Sequence, residues 1–113
     1  MSKREISKVA AKILIEIGAI NFSPQSPFKL SSGFLSPSYI DCRKIIAYPS
    51  AFKAITDMMI DTIKSDMIAQ SPNYIIGGET AGIPFAAAIA EKMSLPLSYV
   101  RKKPKDYGKS NLI

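Results

Sequence analysis

The first apolar pattern in the chain has the spacing of an amphipathic α-helix. Ser2 is followed three residues later by Glu5, which is the signature of a capping box at a helix N-terminus. Gly18 is a residue type that commonly ends helices. Between these two signals, apolar residues recur every three or four positions, at Ile6, Val9, Ala10, Ile13, Leu14 and Ile17. The pattern predicts one helix with a single apolar face.

Prolines and serines interrupt the helical spacing between residues 21 and 38, so only short extended pieces are predicted there, at residues 28–30 and 39–41. Helical spacing returns after Pro49, because proline fits the first turn of a helix. The predicted buried stripe of this second helix consists of Phe52, Ile55, Met59 and Ile63. Methionines fill irregular core space, and those interpreted in this way are Met58, Met59 and Met67.

Short apolar strands alternate with helical patterns in the last third of the chain. Residues 74–76 predict a buried strand, residues 77–82 a glycine-rich loop, and residues 83–93 a helix with Pro84 in its first turn. A further short strand is predicted over residues 97–100. This alternation is typical of an α/β fold in which right-handed crossovers join parallel strands.

The loop GGETAG, residues 77–82, has the features of an anion-binding turn. A strand, a bare turn and a helix N-terminus bring backbone N–H groups to one point, where the helix dipole adds positive potential. Glu79 is unexpected beside a phosphate, unless its side chain faces away or lies near a bound Mg²⁺. The alternative is a tight turn whose glycines only supply positive φ angles. The loop matches neither the Walker loop nor the GxGxxG dinucleotide pattern.

A basic segment follows the second predicted strand. RKKPKDYGK, residues 101–109, holds five basic residues and one acidic residue, and therefore carries +4 of the net charge of +6. Arg101 and Lys102 would lie at the end of that strand, beside the glycine loop. Together the two strand ends would bind a phosphorylated small molecule. The alternatives for the basic segment are a solvated tail or a nonspecific nucleic-acid contact.

A third candidate is FKLSSGFLSPSYIDCRK, residues 28–44, which is rich in hydroxyl groups. It carries Tyr39, Asp41 and Arg43 on an extended segment that could close over a planar polar ligand, with the tyrosine ring stacking on it. From the residues alone, an edge hairpin with Ser, Pro and Gly turns is an equally good interpretation.

Composition excludes several classes of chemistry. The chain of 113 residues is long enough for one domain and contains no histidine, which excludes Ser-His-Asp and Cys-His catalysis and most zinc sites. The single Cys42 cannot form an internal disulfide, so we expect a reducing cytoplasm. No apolar run reaches the roughly 18 residues of a membrane span, and we expect no contact with membranes.

The three segments in this order resemble the N-terminal half of orotate phosphoribosyltransferase, a type I phosphoribosyltransferase. The resemblance runs through FKLSSGFLSPSYIDCRK, GGETAGIPFAAAIAEKMSLPLSYVRKKPK and DYGKSN. It implies transfer of phosphoribosyl from phosphoribosyl pyrophosphate, which carries Mg²⁺, to orotate, giving orotidine 5′-phosphate and pyrophosphate in pyrimidine biosynthesis. It also implies a partial phosphoribosyltransferase domain, with helix and hood over residues 1–45 and the start of the α/β core over residues 46–113.

The resemblance assigns roles to individual residues. Thr80, Ala81 and Gly82 would belong to the pyrophosphate-binding loop. The cations that would contact the donor phosphates are Arg101, Lys102 and Lys105, with Lys105 on a flexible catalytic loop. The residues expected around the substrates in the hood are Ser31, at the donor, and Tyr39 and Ile40, against the orotate ring. No resident metal ligand is implied.

The sequence departs from the family pattern at three points. Many members have histidine where Tyr107 stands, which alters any phosphate contact there, and many have lysine where Leu35 stands. The family's ribose 5-phosphate loop does not occur within these 113 residues. We therefore expect a truncated member with little turnover that self-associates, as a homodimer or larger, through the strand edge at residues 97–100.

Two other functions remain open. A purine phosphoribosyltransferase would share the fold and differ in the hood, residues 28–43. A noncatalytic module could bind nucleic acid through the basic segment. We disfavour that second function because Tyr107 is the only aromatic residue within the basic run, and single-stranded nucleic acid is bound largely by stacking on aromatic rings.

Overall fold

The computed structural model describes residues 1–66 and 70–104. The chain divides into two compact units, Met1–Lys53 and Ala54–Ile113, each of which is described separately below. No helix within the described ranges is long and apolar enough to cross a membrane.

The first unit begins with helix α1, Lys3–Glu16, and the predicted capping box is confirmed at its start. The Ser2 hydroxyl accepts a hydrogen bond from the Glu5 N–H at 3.1 Å. At the other end Gly18 adopts φ +72°, and the backbone N–H of Ala19 reaches back to the carbonyl of Leu14 at 2.9 Å. This is a Schellman ending, in which the residue with positive φ is glycine because it has no Cβ.

Four short strands follow α1 and form two small antiparallel sheets. Strand β1, Ile20–Phe22, pairs with β4, Ser38–Ile40, and β2, Phe28–Lys29, pairs with β3, Leu35–Ser36. The extended pieces predicted around residues 28–30 and 39–41 are thereby confirmed. A 3-10 helix, Cys42–Ala47, comes next, and the Asp41 carboxylate caps it by accepting from the Arg43 N–H.

Helix α2, Pro49–Asp66, begins at the predicted proline, but its buried face differs from the predicted stripe. Met59 is 40% exposed, whereas the buried residues are Ala51, Thr56, Met58 and Ile60. Phe52, Ile55 and Ile63 of the predicted stripe are half-buried, so the prediction was wrong at Met59. It also left out Thr56, because it counted only apolar residues. The Thr56 hydroxyl is fully buried where it accepts from the Lys92 ammonium at 2.9 Å. Of the predicted core methionines, Met58 is confirmed, and Met67 lies outside the described residues.

The second unit contains the predicted strand–helix–strand sequence. Strand β5, Ile75–Gly78, is followed by α3, Gly82–Met93, and by β6, Leu97–Val100. The two strands pair in parallel, with Ile75 opposite Leu97 and Gly78 opposite Val100, so the predicted α/β class is confirmed. The residues of α3 that are buried are Ala86, Ile89 and Ala90. Two of these three are alanines, and small side chains allow a helix to approach a strand closely.

Candidate functional site

Gly77 and Gly78, which were predicted as part of the loop, are the last two residues of β5, and packing explains the first of them. A Cβ on Gly77 would lie 2.8 Å from the Ala86 Cβ and 3.1 Å from the Gly82 carbonyl oxygen. A Cβ on Gly78 would meet nothing within 4 Å. Neither glycine has a positive φ, so the alternative that these glycines only supply positive φ angles is wrong. Gly77 lets the helix begin directly against the strand, and Gly78 leaves the backbone beside it bare.

The turn after Gly78 presents an uncapped helix N-terminus. Residues 79 and 80 form the turn, joined by a cis peptide bond, and α3 starts at Gly82. Ala81 occupies the N-cap position and makes no side-chain capping bond, and Thr80 is exposed. The first N–H groups of a helix point along its axis and carry its positive dipole end. An anion placed at this turn would therefore meet N–H groups with no side-chain cap in front of them.

Glu79 joins the end of β5 to the end of β6. Its N–H donates to the Val100 carbonyl at 2.9 Å, and its carboxylate oxygen Oε2 accepts from the Lys102 N–H at 2.8 Å. The carboxylate is directed to the start of the basic segment, a partner that was not considered from the sequence. The glycine turn and the first residues of the basic segment consequently lie together at the carboxyl end of both strands.

The described part of the basic segment presents three cations, Arg101, Lys102 and Lys103. The Arg101 guanidinium carbon lies 5.8 Å from the centre of the Tyr99 ring, a cation–π contact that holds the side chain at the strand end. Within the described ranges 1–66 and 70–104, no salt bridge neutralises the charges of Arg101 and Lys102. Lys105 and Tyr107, the remaining predicted contacts of this segment, lie outside the described residues.

The hood residues occur in the first unit. The Tyr39 ring packs on Phe28 with the ring centres 5.8 Å apart. Ile40 is the next residue of β4 and is 52% exposed, and successive side chains of a strand project to opposite faces. Ser31 lies in the exposed turn between β2 and β3. Thus only one of the two β4 side chains can face a given ligand.

An ion pair fixes the segment directly after β4. The Arg43 Nε atom donates to the Asp41 carboxylate at 2.9 Å. The side-chain hydrogen bond from Arg43 lowers the pKa of Asp41 below its ordinary value, and Asp41 in turn raises the pKa of Arg43. Since the two groups satisfy each other, this pair is better suited to holding the backbone than to binding a charged ligand.

A cavity of about 430 Å³ also lies in the second unit, between α2, β5 and α3. Its lining is apolar and includes Met59, Ile63, Ile76, Phe85 and Ile89. No Lys, Arg, Asp or Glu side chain lines it, so the cavity itself does not provide a phosphate site. In the described ranges, no group of three or more His, Cys, Asp or Glu side chains could hold a metal ion.

Sequence reasoning missed two contacts of the site. The carboxylate of Glu79 is a tether to Lys102, and Phe28 supports the Tyr39 ring. The only signal for the first was the position of an acidic residue one step beyond a strand end. The second had no signal, because the partner of a ring on a short strand depends on how the two small sheets pack.

No family model matches the chain. An orotate phosphoribosyltransferase of Cereibacter sphaeroides (strain ATCC 17029) is 51% identical over 108 residues, which are 96% of this chain and 47% of that protein. An orotate phosphoribosyltransferase of Ruegeria sp. (strain TM1040) is 50% identical over 109 residues, 96% of this chain and 48% of that protein. The chain thus spans about half the length of the curated relatives it matches.

Solved structures with a similar fold are also phosphoribosyltransferases. The crystal structure of orotate phosphoribosyltransferase from Aeropyrum pernix has a TM-score of 0.69 and 35% identity, covering 81% of this chain and 52% of that one. A crystal structure of adenine phosphoribosyltransferase has a TM-score of 0.65 at 21% identity, covering 88% of this chain and 52% of that one, and shows the fold alone.

The fold is that of the type I phosphoribosyltransferases. Within that class, the chain is similar to the N-terminal half of orotate phosphoribosyltransferase, as its motifs predicted.

Proposed function

We propose that this chain supplies the pyrophosphate-binding and base-binding half of an orotate phosphoribosyltransferase. The observation that carries the proposal is the junction at Glu79, which brings a bare glycine turn and the first cations of the basic segment to one point. Such a point suits the diphosphate of phosphoribosyl pyrophosphate. The sequence relatives favour orotate over a purine as the acceptor, because the adenine enzyme shares only the fold.

The residues of the turn would stabilise the leaving group. As pyrophosphate departs from the ribose, negative charge grows on its oxygens, and fixed N–H groups around Thr80, Ala81 and Gly82 would meet that charge. Arg101, Lys102 and Lys105 would add positive charge from the neighbouring strand end. Mg²⁺ would enter with the donor and polarise its phosphate oxygens.

Binding of inorganic pyrophosphate with Mg²⁺, followed by isothermal titration calorimetry, tests this assignment. We expect saturable binding that Arg101→Ala weakens about tenfold, since a contact between charged groups contributes roughly 1.5–3 kcal/mol. Lys64→Ala, which removes an exposed cation at the end of α2, is the control and should leave the affinity unchanged. Tight RNA binding that falls steeply with salt and that pyrophosphate does not compete would instead support the nucleic-acid function.

The hood would hold the orotate ring. Tyr39, with its ring supported by Phe28, is the side chain best placed to stack on it, whereas Ile40 projects to the opposite face of β4 and would contribute through its backbone. Ser31 would approach the donor from the exposed turn. Equilibrium dialysis should show binding of orotate but not adenine, and Tyr39→Ala should abolish it. Binding of adenine in preference to orotate would favour a purine enzyme.

Low turnover and self-association belong to the same proposal. In the family, the other half of the protein binds ribose 5-phosphate, so the 113 residues alone should form little orotidine 5′-phosphate. Among the described residues, β6 pairs only with β5, which leaves its other edge able to pair with a second copy. A monomer in light scattering would refute the self-association. A cytoplasmic location is also proposed, because Cys42 is an exposed free thiol.

A further inference from the structure

Glu79 places a negative charge where the proposed ligand is also negative. Its carboxylate is half-buried and is bonded to the Lys102 N–H at 2.8 Å, across 23 positions of the sequence. A carboxylate at the edge of an anion site weakens anion binding through repulsion, unless it contributes something that exceeds the repulsion. The hydrogen bond from the Lys102 N–H is such a contribution, because it holds the backbone that follows β6.

The hydrogen bond between the Lys102 N–H and the Glu79 carboxylate lies beyond the main-chain hydrogen bonds that pair β5 with β6. The Glu79 N–H already continues that pairing by donating to the Val100 carbonyl at 2.9 Å, and this main-chain bond does not depend on the side chain. The carboxylate extends the connection by two residues, past Arg101 to Lys102. The backbone that carries both cations is thereby held at the glycine turn rather than leaving the sheet at Val100.

We propose that Glu79 is a positioning residue that fixes Arg101 and Lys102 beside the glycine turn, so that turn and cations bind the same diphosphate. This role rests on the proposed function. It predicts that the affinity for pyrophosphate depends on the length of the Glu79 side chain and not on its charge. A purely electrostatic role predicts the reverse, because loss of a negative charge beside an anion should tighten binding.

Two substitutions at Glu79 separate the effect of side-chain length from the effect of charge. Glu79→Gln keeps the length and a carbonyl acceptor but loses the charge, and Glu79→Asp keeps the charge but shortens the side chain by one methylene. Glu91→Gln, on the exposed side of α3, is the matched control. Affinity for inorganic pyrophosphate with Mg²⁺ is measured by calorimetry, and exchange of the Lys102 amide proton is measured by NMR without ligand.

We expect Glu79→Asp to weaken pyrophosphate binding about threefold to tenfold and to speed exchange of the Lys102 amide, as loss of one exposed charge-assisted hydrogen bond predicts. Glu79→Gln should bind within about twofold of the wild type and keep the amide protected. Tighter binding by Glu79→Gln, with Glu79→Asp unchanged, would overturn the positioning role.

The two readouts distinguish failure of the role from failure of the proposed function. If the wild-type chain does not bind pyrophosphate while Lys102 exchange still depends on Glu79, the tether exists but serves no phosphate site, and the proposed function fails. If pyrophosphate binds and Lys102 exchange is the same in all variants, the positioning role alone fails.

Discussion

Gly77 offers the sharpest test of how the site is built, because its replacement by alanine has a clear structural cost. The added Cβ would lie 2.8 Å from the Ala86 Cβ, about 0.7 Å inside the shortest favourable carbon–carbon separation of roughly 3.5 Å. It would also lie 3.1 Å from the Gly82 carbonyl oxygen and 3.3 Å from the Ile83 Cα. None of these atoms belongs to a flexible side chain, so relief requires α3 to move away from β5.

Overpacking of this kind costs about 1–3 kcal/mol, and we expect Gly77→Ala to lower the free energy of unfolding by about 2 kcal/mol. Urea unfolding followed by circular dichroism measures the change. Gly78→Ala is the matched control, because its Cβ meets nothing within 4 Å, and it should stay within about 0.5 kcal/mol of the wild type.

A second substitution tests whether the Ala86 contact is the cause. Ala86→Gly alone should cost about 1 kcal/mol through helix propensity. Combined with Gly77→Ala it removes the 2.8 Å contact, so the double variant should be more stable than the sum of the two losses by about 1 kcal/mol. Equal stability of Gly77→Ala and Gly78→Ala would refute the packing explanation for Gly77.

Two further predictions concern the polar contacts that hold each unit. Arg43→Ala should raise the pKa of Asp41 toward its ordinary value near 3.9, as followed by NMR titration, and Arg4→Ala should not. Since the pair lowers the Asp41 pKa in the folded state, its stabilisation is present above about pH 4 and is lost as the pH falls through the folded pKa. Lys92→Met removes the ammonium that bridges α2 and α3, and it should lower the free energy of unfolding in urea by about 1 kcal/mol. The control Lys64→Met should leave the free energy of unfolding almost unchanged. Equal losses in the two variants would contradict the bridge.

Elements with strong local signals could be predicted from the sequence. The capping box at Ser2, the proline start of α2 and the strand Leu97–Val100 all lie where the pattern placed them. Each depends on residues close together in the chain, such as a hydroxyl three positions before a glutamate or a short apolar run between turns. The order of the motifs also predicted which proteins the chain is similar to.

What could not be predicted depends on contacts between distant residues. The buried face of α2 includes Thr56 because Lys92, 36 positions later, donates to its hydroxyl. The reason for Gly77 is the position of Ala86 on the next helix, and the orientation of Glu79 depends on the end of β6. Residue type at one position carries no information on such partners. The motifs therefore located the candidate site but not the contacts that hold it together.

The ending of α1 has a consequence for the order in which the first unit forms. The helix has 14 residues, none of them buried, and helices of this length are marginal alone in water. The residue directly after its C-cap is held from a distance, because the Lys44 ammonium donates to the Gly18 carbonyl across 26 positions. The Asp41 N–H likewise donates to the Ala19 carbonyl. We therefore expect α1 to become persistent only after the chain between residues 19 and 41 has closed its loop, so that formation of the helix depends on the hood that follows it.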